Sequence, residues 1–159
     1  MTIVAITGHR AQHLGGEGLT NPRKVYVLKQ LEEKLLQIKP KATKAITGMA
    51  LGVDTWFAEI CIKLNIPFVA AIPFVGQEKI WNEQQQRKYH ELLMEAHETI
   101  VVAEGEYAAY KMQKRNKWMV DNCDLLLAVF DGTSGGTANC INYAKTIERS
   151  FVIINPENY

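Results

Sequence analysis

Ile3-Val4-Ala5-Ile6-Thr7-Gly8-His9-Arg10 sets four consecutive apolar residues before a threonine, a glycine and two basic side chains. A β-branched apolar run this short, stopped by glycine, suits a strand buried on both faces of a parallel sheet and is too short to nucleate a helix. Asn21-Pro22 is then a helix start signal, and Leu28, Leu31, Leu35 and Ile38 recur every three or four residues until Pro40, the spacing of an amphipathic helix. Lys44–Thr47 predicts a second strand, Asp54–Leu64 a helix, and Phe68–Ile72, bracketed by Pro67 and Pro73, a third strand. The polar stretch Glu78–Ala96 predicts a helix, followed by strand Thr99–Ala103, a helical segment over Tyr110–Asn122 and strand Leu125–Phe130. A helix from Gly136 to Glu148 and a strand over Phe151–Ile154 complete the pattern. Six strands alternating with helices, without repeats or a low-complexity linker, predict one α/β domain over residues 1–159: an open, mostly parallel, Rossmann-like sheet with helices on both faces.

The 159 residues include 18 Lys plus Arg against 17 Asp plus Glu, a formal net charge of +1, so no overall positive field favours a nucleic-acid backbone or an anionic membrane. Any bound anion has to be held locally. With 47% apolar and 22% charged residues the chain has the composition of a globular protein and not of a disordered one. No apolar run approaches the ~18–20 residues of a membrane span, and no secretory leader is recognisable, so a cytoplasmic protein is expected. Cys61, Cys123 and Cys140 form no C-x-x-C pair and are read as reduced, buried thiols.

In open parallel sheets ligands bind beyond the carboxyl ends of the strands. Three turns at such ends are glycine-rich: Thr7-Gly8-His9-Arg10 with Gly15-Gly16-Glu17-Gly18, Thr47-Gly48-Met49-Ala50-Leu51-Gly52-Val53-Asp54, and Asp131-Gly132-Thr133-Ser134-Gly135-Gly136-Thr137. Glycine there lets backbone N–H groups approach a phosphate, helped by the partial positive charge of a helix N-terminus; any one such glycine also serves simply to make a tight turn. Arg10 is the first candidate for clamping a phosphate or carboxylate. His9 is either a ligand contact or a histidine satisfied by backbone. Asp54 stands where a helix begins, so it is read as an N-cap that can also meet a sugar hydroxyl. Phe74, Gln77 and Trp81 follow the third strand, where an aromatic can stack on a base or belong to the core. Arg115-Asn116 lies among Lys111, Lys114 and Lys117, either a basic patch at the sheet edge or a solvated helix face. His9 and His13 are four apart in a glycine-rich loop with no helix to present both, and His90-Glu91 with His97 misses the H-E-x-x-H spacing, so no metal site is expected. Trp56, Phe57, Trp118 and Met119 are core or the face of a homo-oligomer.

Gly48-x-Ala50-x-Gly52-Val53-Asp54 resembles the G-x-A-x-G-[IV]-D motif of the DNA-processing protein DprA, and Gly135-Gly136-Thr137 resembles part of the Gly-Gly-x-Gly-Thr-x-x-Glu motif of LOG-type nucleotide hydrolases. Both are founders of the SLOG superfamily. The chain is most similar to the small YpsA-type branch, through those blocks together with Thr7-Gly8-His9-Arg10, Pro73-Phe74, Gln77, Trp81, Arg115-Asn116 and Trp118. The resemblance implies a Rossmann-like fold and a pocket for a nucleotide or nucleotide-sugar, such as NAD-derived ADP-ribose or a cyclic relative, held by a sensor or sequestering module that requires no cofactor. Within it, Thr7, Gly8, His9, Arg10, Gly48, Gly52, Asp54, Phe74, Gln77, Arg115, Asn116, Asp131, Gly135, Gly136 and Thr137 are the expected ligand contacts. The glutamate of the LOG motif falls at Cys140, a departure that argues against phosphoribohydrolase activity. The alternative is hydrolysis of an N-glycosidic bond in a nucleoside monophosphate or NAD-like substrate, which needs a carboxylate that Asp131 or Glu17 would supply. Single-stranded DNA binding, by analogy with DprA, is a third reading, opposed by the near-neutral charge.

Overall fold

In a computed structural model the described residues are 2–38 and 42–159. Pro40, read as the stop of the first helix, lies outside them. Strands β1 (Thr2–Gly8), β2 (Ala42–Thr47), β3 (Phe68–Ile72), β4 (Glu98–Val101), β5 (Leu125–Val129) and β6 (Ser150–Ile154) form one sheet in the order β4-β3-β2-β1-β5-β6. All five pairings are parallel, with Val4 opposite Ala45 on one side and Leu125 on the other. The apolar run of the opening strand is accounted for by this position: Val4, Ala5 and Ile6 have no exposed surface, because β1 lies mid-sheet with helices over both faces.

Helices α1 (Pro22–Ile38), α2 (Val53–Lys63) and α3 (Glu83–Glu95) cover one face, packing Val27, Leu31, Leu35, Phe57 and Leu92 on Val4, Ile6 and Phe68. Helices α4 (Ala109–Asp121) and α5 (Gly136–Thr146) cover the other, with Met119, Val120, Cys140 and Ala144 on Ala5, Ile46 and Leu126. Consecutive strands step outward from β1 through β4, and then β5 returns to pair with β1, so the strand order reverses between β1 and β5. Such a switch point opens a crevice at the carboxyl edge, because the connections leave to opposite faces. Trp56, Phe57 and Met119 are core, each no more than 2% exposed, which settles their reading away from an oligomer face. No helix among the described residues is long and apolar enough to cross a membrane.

Most element ends fall within two residues of the sequence reading, and two of the departures have a local cause. The helix expected over Glu78–Ala96 is a 3-10 turn, Gln77–Ile80, followed by a restart at Glu83. Asn82 Oδ1 accepts from Gln85 N–H at 2.8 Å while Gln85 Oε1 accepts from Asn82 N–H at 3.1 Å, a capping box that the N-x-x-Q spacing spells out. The strand expected over Thr99–Ala103 ends at Val101, since its neighbour β3 runs into Pro73, which has no N–H with which to continue the ladder.

All three cysteines are buried and unpaired. Burial pushes the Cys61 and Cys140 thiols up to about 12 and Cys123 up to about 11, so each stays protonated at neutral pH. Folded protein at pH 8 should therefore react with an aromatic disulfide reagent far more slowly than guanidinium-unfolded protein, which should release three equivalents. Because thiolates form more readily in the unfolded chain, stability should also fall as pH rises above the ordinary thiol value of 9.0 towards about 12. Fast labelling of the native state would show that at least one thiol is not where the fold puts it.

Candidate functional site

The crevice at the switch point is a pocket of about 200 Å³. Thr7 and Gly8 at the end of β1 line it, with His9 and Arg10 just beyond, Asp54 in the first turn of α2, Arg115 and Asn116 from α4, and Gly135, Gly136 and Thr137 at the start of α5. A second cavity, of about 790 Å³, opens beside it between the β1 and β3 connections, walled by Leu51, Phe74, Gln77, Ile80, Trp81 and Tyr107 among others. Arg10 lines both. It is solvent-exposed, and among the described residues its guanidinium has no hydrogen-bond or ion-pair partner, unlike Arg115, the other guanidinium lining the small pocket.

The glycines of the three turns do different work. A Cβ on Gly8 would lie 2.6 Å from the Val53 side chain, one on Gly48 would lie 2.4 Å from Arg115 Nη1, and one on Gly52, at φ +97°, would lie 2.4 Å from the Ala11 backbone nitrogen. These three let the first two connections and Arg115 pack against one another. Gly135 and Gly136 have open space where a Cβ would be, and both line the small pocket. Gly135 is also the N-cap of α5 and has no side chain to satisfy the first N–H groups of the helix. Gly48 and Gly52 line neither cavity.

The β2–α2 connection is tied down from outside. Arg115 Nη1 donates to the Gly48 carbonyl at 2.6 Å and its Nε donates to Asn116 Oδ1 at 3.0 Å. Gln77 Nε2 donates to the same Gly48 carbonyl at 3.3 Å and lies 3.2 Å from Tyr89 Oη, so Gln77 positions this loop as well as lining the larger cavity. Asp54 is not the N-cap, which is Gly52; its Oδ2 accepts from Ala50 N–H at 3.2 Å. Burial pushes the Asp54 pKa up, while Arg115, Arg10 and the Ala50 amide pull it down. Arg115, 4% exposed, is pushed down by burial and drawn back by Asp54. The basic patch of α4 does not form as one surface. Lys111 is buried, donating to the Glu104 and Glu106 carbonyls, and only Lys114 and Lys117 face solvent.

His9 and His13 are brought together, against the expectation drawn from their loop setting. The 3-10 turn Ala11–Leu14 folds the chain back after Arg10, stacking the two rings with centroids 4.0 Å apart. Both present Nε2 to Asp131, at 3.0 Å for His9 and 2.6 Å for His13. Burial works against charge on Asp131, but hydrogen bonds from Thr133 and His13 outweigh it and hold the carboxyl well below the usual carboxylate range. Burial pushes His9 down, opposed by Asp131. Asp131 therefore sits behind His9 and His13 and lines neither cavity, while Glu17 lines the larger one and accepts from Trp56 Nε1 at 2.9 Å. Cys140 is buried below Thr7 with its thiol protonated. Tyr107, whose ring meets Phe74 edge-on at 6.0 Å, carried no sequence signal, since their meeting depends on β3 and β4 being neighbours. Thr133 did carry one: Asp131-x-Thr133 is the spacing of an aspartate that accepts from the N–H two residues on, here at 3.0 Å.

The sequence model of the YspA SLOG family matches residues 4–151, and the chain belongs to that family. The SPbeta prophage-derived protein YoqJ of Bacillus subtilis is 38% identical over 138 aligned positions, covering 73% of this chain and 81% of its own. Among solved structures, DNA processing protein A (DprA) from Streptococcus pneumoniae superposes with a TM-score of 0.65 at 18% identity over 97% of this chain; the chain spans 50% of that DprA chain. The molybdenum cofactor binding protein from Rippkaea orientalis gives a TM-score of 0.59 at 18% identity, covering 96% of this chain and 75% of its own. At these identities the two structures share the fold.

The contrast among glycines makes a stability prediction. Gly52→Ala should cost at least about 2 kcal/mol in chemical denaturation, since it combines a backbone clash with an unfavourable φ. Gly136→Ala should stay within about 0.5 kcal/mol. Equal midpoints for the two variants would contradict the packing role of Gly52.

Proposed function

We propose that this member of the YspA SLOG family binds a nucleotide or nucleotide-sugar across its two adjoining cavities, as a sensor or sequestering module. The observation that carries this reading is Arg10, an unpartnered guanidinium shared by a small polar pocket and a larger aromatic-walled cleft. Phosphates in the small pocket would meet Arg10 and the uncapped N–H groups of α5, where the open Gly135 and Gly136 permit close approach. The larger cavity, at about 790 Å³, is in the size range of small-molecule sites and offers Phe74, Tyr107 and Trp81 to a base. Asp54 and Asn116, both lining the small pocket, are placed to accept from or donate to sugar hydroxyls. An NAD-derived ligand such as ADP-ribose has the required parts: two phosphates between a base-bearing ribose and a second ribose. Cleavage of an N-glycosidic bond draws less support, because Asp131 is engaged by two histidines and Thr133, and Glu17 by the Trp56 indole.

Calorimetric titration with AMP, ADP-ribose, NAD and a cyclic ADP-ribose in the presence of EDTA should find micromolar or tighter binding of at least one of them. Arg10→Ala should weaken it by at least about 1.5 kcal/mol, roughly tenfold. Gly136→Asp places a carboxylate at the first helical position of α5, where it suits the helix dipole but occupies the phosphate's place; it should keep the unfolding temperature and abolish binding. Absence of binding across the panel, or full binding by Gly136→Asp, would refute the assignment.

A further inference from the structure

We infer that His9, His13 and Asp131 form a site for a divalent transition-metal ion of the zinc type, at the edge of the small pocket. The ligand-bearing atoms of the three residues lie within 4.8 Å of one another. Two imidazoles and one carboxylate converging on a point, with further positions open, form the donor set that zinc-type ions accept with exchangeable water or substrate oxygen as additional ligands. Imidazole favours such ions over Mg²⁺ or Ca²⁺, which prefer all-oxygen surroundings.

The local hydrogen bonding gives the cluster a reason to hold a cation. His9 Nε2 lies 3.2 Å from the Asp131 backbone N–H, for which it must be an acceptor, and 3.0 Å from Asp131 Oδ1, for which it must be a donor. One ring nitrogen cannot do both. A cation between Nε2 and the carboxylate takes the single Nε2 lone pair in place of the long 3.2 Å contact from the Asp131 N–H, so that it and the carboxylate both face positive charge. Donor atoms about 2.0–2.2 Å from such an ion lie about 3–3.5 Å apart, which the His9–Asp131 separation of 3.0 Å already meets. The 2.6 Å between His13 Nε2 and Asp131 Oδ2 has to open by several tenths of an ångström, a shift available to a side chain that is 40% exposed. Asp131 is oriented for the task, since Oδ1 accepts from Thr133 N–H at 3.0 Å and from its hydroxyl at 2.7 Å, as second-layer donors orient metal-bound carboxylates.

His9 and His13 line the small pocket, so an ion on them stands beside the place proposed for phosphate. That pairing of ion and phosphate rests on the nucleotide reading above; the metal site itself does not. After EDTA treatment and dialysis, titration of the full chain with ZnCl₂ alone should show one equivalent bound, with MgCl₂ showing none at the same concentrations. His13→Ala and Asp131→Asn should each weaken Zn²⁺ at least tenfold, whereas His90→Ala, on the distant α3, should leave it unchanged. Circular dichroism should show His13→Ala folded without metal. Co²⁺ in place of Zn²⁺ should give ligand-field bands without thiolate charge transfer, because all three cysteines are buried elsewhere. No stoichiometric Zn²⁺, or undiminished binding by His13→Ala, would overturn the site. Nucleotide binding is measured separately in EDTA, so Zn²⁺ binding without nucleotide binding would sink only the nucleotide reading, and the converse only the metal site.

Discussion

The buried guanidinium of Arg115 is where the two helical layers meet above the sheet, and the shape of the carboxyl edge depends on it. It comes from α4 on one face and donates to the carbonyl of Gly48 at the end of β2, with Ala71 of β3 a longer contact at 3.5 Å. Asp54, from α2 on the opposite face, is the opposite charge that offsets part of the loss of water around the guanidinium. A guanidinium is always charged and offers several fixed donors, so it can hold a loop and still present an edge to a pocket. Gly48 has to be glycine for this contact to exist, since a Cβ would lie inside the guanidinium's van der Waals surface. Removing either charge would take from the other its largest opposing charge inside the fold, a loss that costs more than the intact pair contributes.

With that loop fixed, the rest of the edge divides by conformation and charge. Gly52 lets the start of α2 pass against the Arg10–Ala11 backbone, and Val53 N–H is satisfied by the His9 carbonyl at 3.4 Å. The second connection thus positions the first, which explains why its glycines, Gly48 and Gly52, serve packing and do not themselves line a cavity. Asn21 does similar work for the other end of the first connection, its Nδ2 donating to the Leu14 and Gly16 carbonyls at 2.6 and 2.8 Å. In the third connection Gly135 and Gly136 stay open beside the small pocket, where α5 begins without a side-chain cap.

Much of this was legible in the residues. Apolar runs such as Ile3–Ile6 and Phe68–Ile72 are strands because only strands central to a parallel sheet need to be apolar on both faces. The three turns were found at one edge because parallel topology puts every strand end there. What a linear reading could not separate was glycine for packing from glycine for access, as in Gly48 against Gly136, because the distinction depends on which residue from another element occupies the space. The meeting of His9 with His13 was hidden for a related reason. Helical periodicity is the usual ground for pairing residues four apart, and here a single 3-10 turn achieves it within a loop, with Asp131 arriving from a strand that is remote in sequence but adjacent in the sheet.

The charge of the pocket then follows from which groups are already committed. Arg115 is spent largely on carbonyls and lies near Asp54, and Asp131 is engaged by histidines and Thr133, so Arg10 is left as the guanidinium of the small pocket without a partner among the described residues. On the proposed reading this balance selects against highly charged ligands held by charge alone: Arg10 is the guanidinium free to meet a phosphate, while Asp54 offers its oxygens to a hydroxyl. A ligand that presents phosphate to Arg10 and α5, and hydroxyls to Asp54, satisfies both groups, whereas inorganic phosphate satisfies only the first. Discrimination of this kind comes from a buried polar group left unpaired by the wrong ligand, and it can be large even where net charge is small. A chain with a net charge of +1 can in this way be specific for an anionic ligand without attracting polyanions at large.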